Sequence, residues 1–145
     1  MFFKKKQVDM DLHAGYVMIE GHKIDNSCTH KDIELWFPHF HRAMSQDGGA
    51  PCYSGPCEVR AGDFTFGRVE FVFNKHDDGT IYFAMMVLHT ESLFGKRRKK
   101  FFKIARPWTC RPQVLDTSWG FQMDNGTCLF ISRDDSPAFI SIVWE

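Results

Sequence analysis

The chain has 145 residues with 18 Lys and Arg against 18 Asp and Glu, and 43% of it is hydrophobic, including 15 Phe. This length fits one domain over residues 1–145, long enough to bury roughly two-thirds of what the unfolded chain exposes, and the apolar content excludes a disordered chain. No apolar run approaches the roughly 20 residues needed to cross a bilayer. The start, MFFKKKQVDMDL, puts its apolar residues ahead of the lysines with no long apolar stretch behind them, so neither a signal peptide nor a membrane span is expected. Five cysteines, at 28, 52, 57, 110 and 128, are an odd count without the repeating spacing of a disulfide scaffold, which predicts a reducing cytoplasm.

In chain order, VDMDLHAGYVMIEGHKI reads as a hairpin, two short runs separated by Ala14 and Gly15, with Val17 and Ile19 alternating against Met18 and Glu20. SCTHKDIELWFPHF offers Thr29 as N-cap with Asp32 at the third helical position, an acidic capping box, followed by apolar Ile33, Leu35, Trp36, Phe37 and Phe40. A helix is predicted from about His30 that either stops near Phe37, ahead of Pro38, or bends and continues toward Met44. SQDGGAPCYSGPC is loop by composition, with three glycines and two prolines.

From Asp63 the period changes. DFTFGRVEFVFN alternates Phe64, Phe66, then Val69, Phe71 and Phe73, a half-buried strand interrupted at Gly67, and TIYFAMMVLHT returns after the turn KHDDG. TSWGFQM, TCLFIS and AFISIVWE give three more strands in meander order. FNKHDDGTIYF and FISRDDSPAF resemble each other, both passing from a strand-ending Phe to Asp-Asp and on to another strand. An old duplication would explain this, but ordinary turn chemistry, Asp-Asp near Gly or Pro, is the favoured reading. The fold expected is α+β, a mainly antiparallel sheet of five or more strands packed on one principal helix near residues 30–43. Trp36, Phe37, Phe71, Phe73, Phe83, Val87, Phe130 and Ile142 are expected in its core.

Chemistry is sparse. His39 and His41, with Cys52 and Cys57 following, raise a zinc site, but on a helix the two imidazoles would point about 200° apart and the thiol pair lacks a clear partner pair. They converge only if Pro38 has ended the helix, and no bound zinc or other cofactor is expected. Cys28, just before the N-cap with His30 two residues on, is the closest approach to an activated thiol, though no orienting Asn or Asp can be assigned. No G-x-S-x-G, Walker A, H-E-x-x-H or Rossmann fingerprint occurs. A small metal- or thiol-dependent enzyme thus stays a rival reading without a motif.

Charge is segregated. The three lysines at 4–6 and the run KRRKKFFK, from Lys96 to Lys103, hold nine of the 18 bases, leaving nine bases against 18 acids elsewhere. The basic run beside Phe101 and Phe102 suits phosphate and base contacts and makes a nucleic-acid-binding module a further rival, but a solvated loop or lysine-protected edge strand is the favoured reading. Asp77, Asp78, Asp134 and Asp135 fall in the two similar turns. If those hairpins lie side by side, their carboxylates would share one end of the sheet and could face a basic groove on a partner.

The short chain opening MFFKKK, with YVMIEGHKI, the capped helix THKDIELWF and the Phe-rich strands GRVEFVFN and TIYFAMMVLH, resembles the cytosolic immunity proteins of bacterial polymorphic toxin systems, including contact-dependent growth inhibition. The likeness is one of size, texture and element order over most of the chain. It implies a non-enzymatic inhibitor, without membrane or nucleic-acid partner, that binds one toxin domain, such as a nuclease, and blocks or deforms its active site.

Overall fold

The computed structural model describes residues 9–11, 14–44, 49–61, 64–90, 111–114, 118–122, 127–132 and 139–144. Among the described residues, eleven strands and one helix run in the order β1 (Met10–Asp11), β2 (Tyr16–Ile19), β3 (His22–Ile24), α1 (His30–Trp36), β4 (His41–Met44), β5 (Pro51–Ala61), β6 (Phe64–Lys75), β7 (Ile81–His89), β8 (Arg111–Val114), β9 (Ser118–Gln122), β10 (Thr127–Ser132) and β11 (Phe139–Trp144). β1 to β3 form a small three-stranded sheet, and the rest an eight-stranded antiparallel sheet ordered β4-β5-β6-β7-β11-β10-β9-β8.

The predicted capping box is present. Asp32 N donates to Thr29 Oγ1 at 3.2 Å and Thr29 N donates to Asp32 Oδ2 at 3.0 Å. The helix that follows has only seven residues, too few to be stable without tertiary contacts. Ile33 and Phe37 supply them, both fully buried. Pro38 ends it, because the residue before a proline is driven out of the α region; Phe37 sits at φ −129°, ψ 62°, while its N–H still closes the last turn on Ile33 O at 2.9 Å. The expected principal helix over 30–43 is therefore corrected. Residues 41–44 leave the turn as β4 and pair with β5, His41 opposite Ser54 and Met44 opposite Pro51.

A second correction concerns SQDGGAPCYSGPC, read as loop, most of which forms β5. Its prolines sit where a sheet tolerates them, Pro51 as the first strand residue and Pro56 at a bulge. Between Pro56–Arg68 and Val59–Phe66, Cys57 and Glu58 oppose Gly67 alone. Gly67 therefore marks this bulge rather than a break in β6, and the bulge explains why the buried face passes from Phe66 to Val69 without strict alternation. Another bulge, between Val72–Met85 and Phe73–Phe83, makes the same shift in β7, where Phe83, Met86 and Leu88 face the core. The N-terminal hairpin is also longer than predicted, since a second tight turn at Glu20–Gly21 adds β3.

The core lies between one face of the large sheet and a layer made of the small sheet and α1. Met10, Val17, Ile19, Ile24, Ile33 and Phe37 meet Tyr53, Phe66, Val69, Phe71, Phe73, Phe83, Met86, Leu88, Leu129, Ile140 and Ile142. A chain of rings runs through it, Phe40 to Phe37 at 4.8 Å, Phe37 to Phe71 at 5.5 Å, Phe71 to Phe83 at 6.0 Å and Phe83 to Phe73 at 4.9 Å. Such pairs add about 0.5–1.5 kcal/mol each beyond burial. Of the expected core, Phe37, Phe71, Phe73, Phe83, Val87 and Ile142 are buried, with Val87 outside the main cluster. Trp36 is only partly buried, stacked on His22 at 4.8 Å; the side chain of Phe130 lies outside the described residues. Trp144 closes the layers, its Nε1 donating to Gly15 O at 2.9 Å. Among the described residues no helix is long and apolar enough to cross a membrane.

Candidate functional site

The β5 bulge and the Glu20–Gly21 turn face each other across a groove of about 670 Å³, a volume within the range of small-ligand clefts. Backbone pairing builds it. Asp9 N donates to Arg60 O and Arg60 N donates to Asp9 Oδ2, each at 2.7 Å, which fastens the small sheet beside β5 just past the bulge. The turn between Ile19 and His22 has positive φ at both central residues, 50° at Glu20 and 80° at Gly21. This is the type I′ geometry that matches strand twist but favours Asn, Asp or Gly at its first position. Glu20 holds that position and lines the groove.

Met18, Pro56 and Cys57 give the groove its apolar lining, and Asp9, Glu20, Glu58 and Arg60 its charge. Arg60 Nη2 lies 2.9 Å from Glu58 Oε1, and Arg60 Nε donates to the same oxygen at 3.0 Å. With three carboxylates against one guanidinium, the groove is acidic. Cys57 Sγ donates to Phe66 O at 3.4 Å. Burial, with the nearby Glu20 carboxylate adding to it, pushes this thiol up to about 12, so it is no nucleophile near neutral pH.

Cys28, the thiol singled out before the N-cap, is likewise raised. Burial is the main cause, only partly offset by a backbone hydrogen bond involving Asp25, and the charges of Asp25 and Asp32 raise it further. A helix start studded with carboxylates cannot stabilise a thiolate. His39 lies in the turn after the helix and His41 on β4, both exposed. Cys52 pairs with Ala43 and Cys57 belongs to the bulge, and among the described residues no three His, Cys, Asp or Glu side chains converge as metal ligands. Lys96 to Lys103 and the lysines at 4–6 lie outside the described residues.

Asp77 and Asp78 are exposed in the β6–β7 turn, and Asp78 Oδ1 accepts from Thr80 N at 2.9 Å. Hydrogen bonds from Thr80, side chain first and then backbone, hold the Asp78 carboxyl below its ordinary value. Asp134 and Asp135 lie outside the described residues, but the strand ends flanking them do not. The two hairpins do lie side by side, through β7 and β11, yet that pairing is antiparallel and sets Phe139 opposite His89. A row across four strands, Pro56, Arg68, His89 and Phe139, therefore marks the end of the sheet at β7 and β11, with β5 and β6 running on past it to Ala61 and Phe64, while Lys75 and Ile81 bound the Asp77–Asp78 turn at the other end. The seven residues from Arg68 to Lys75 separate these ends by roughly 23 Å at about 3.3 Å per residue. The Asp77–Asp78 turn thus lies at the opposite end of β7 from Phe139; the expectation that it shares one end of the sheet with Asp134 and Asp135 falls on residues outside those described. Asp9, Glu20 and Glu58 line the groove, and sequence reasoning missed them because no local pattern marks them; they meet only through the pairing of the small sheet with β5.

Compared with protein-family models, characterised proteins and solved structures, the chain matches none.

Proposed function

We propose that this chain is a cytoplasmic, non-enzymatic immunity protein that binds a cognate bacterial toxin domain and neutralises it by setting carboxylates against a basic groove. One observation carries the reading: an acidic groove, with Met18, Pro56 and Cys57 in its lining, between the β5 bulge and the Glu20–Gly21 turn. A toxin that cleaves nucleic acid must hold phosphates with Lys and Arg, and an inhibitor bearing Asp9, Glu20 and Glu58 on a rigid two-sheet frame can occupy the same positions. In the proposal Asp77 and Asp78, at the far end of β6 and β7, serve as a separate contact, and Asp134 and Asp135 also face the toxin. The charge excess outside the two basic runs, 18 acids against nine bases, favours rapid encounter with such a partner.

The test is titration of the full chain against the toxin domain encoded beside its gene, where the resemblance places it, together with a growth-protection assay. Glu20→Lys with Glu58→Lys is expected to slow association about tenfold at low salt and to weaken its salt dependence. Absence of both binding and protection refutes the immunity role. Binding with an association rate untouched by the Glu20, Glu58 reversal, and equally by Lys at 77 and 78 or at 134 and 135, refutes the acidic mechanism alone.

A further inference from the structure

We draw no further inference here: the strongest candidate, the outer edge of β4 at the margin of the large sheet with Met44 exposed on it, carries nothing because nothing in the structure shows what covers it.

Discussion

Replacing Gly55 with Ala tests the packing of the helix turn against β5. A Cβ at this position would lie 2.6 Å from Cε1 and 2.8 Å from Cγ of Phe40. The Phe40 ring cannot retreat freely, since it stacks on Phe37 at 4.8 Å and on Phe71 at 6.0 Å, and Phe71 in turn meets Phe83. Overpacking of this kind costs about 1–3 kcal/mol, whereas removing a strand glycine by itself gains roughly 0.5–1 kcal/mol. The net expectation for Gly55→Ala is a loss of about 1–2 kcal/mol, read in urea as a midpoint lowered by roughly 0.5–1 M at the slopes usual for small domains. Gly67→Ala is the control: a Cβ there meets nothing within 4 Å, so that variant should be neutral or slightly stabilised. In a double-mutant cycle, Phe40→Ala should cost at least about 1 kcal/mol less in the Gly55→Ala background than in the parent chain. A Gly55→Ala protein as stable as the parent, or a cycle without coupling, refutes the seating of Phe40 over β5.

Three further outcomes are expected. With the Cys57 thiol moved from 9.0 to about 12, its alkylation at pH 8, followed by peptide mass spectrometry, should run about a thousandfold slower in the folded than in the unfolded chain; comparable rates would refute its burial. Tyr53 donates its hydroxyl to Glu34 Oε1 at 2.6 Å, so Tyr53→Phe should cost about 1 kcal/mol in chemical denaturation, and an unchanged midpoint would count against that bond. Burial first, then Glu34, raises the Tyr53 phenol above 10.0, and Cys57 is raised likewise; both favour the protonated form when folded, so stability is full below about pH 9 and falls as pH climbs through 9–12. Tyr53→Phe should flatten the part of that fall above pH 10, and an unaltered pH profile would argue against the phenol's share. Finally, Glu20→Asn, relieving a left-handed backbone in a turn that favours Asn, should raise stability by about 0.5–1 kcal/mol, a gain that a lowered unfolding midpoint would disprove.

Local chemistry settled part of this structure in advance. Thr29 and Asp32 announce the helix start because a capping box needs only residues three apart. Phe64 to Phe73 and the three C-terminal runs announce strands because a period of two is written in neighbouring residues. Strand partnership is different, since it is decided by contacts far apart in sequence. The Pro-rich stretch 51–57 looks like loop by composition and becomes a strand only because β4 and β6 offer backbone partners on either side, with its prolines at a strand start and a bulge. The last strand settles beside β7 rather than beyond β8, and the antiparallel sense of that pairing sets the Asp77–Asp78 turn and the ends of β10 and β11 at opposite margins. The candidate groove belongs to the same class of fact: Asp9, Glu20 and Glu58 are unremarkable along the chain and meet only when the small sheet is fastened to β5 through Asp9 and Arg60.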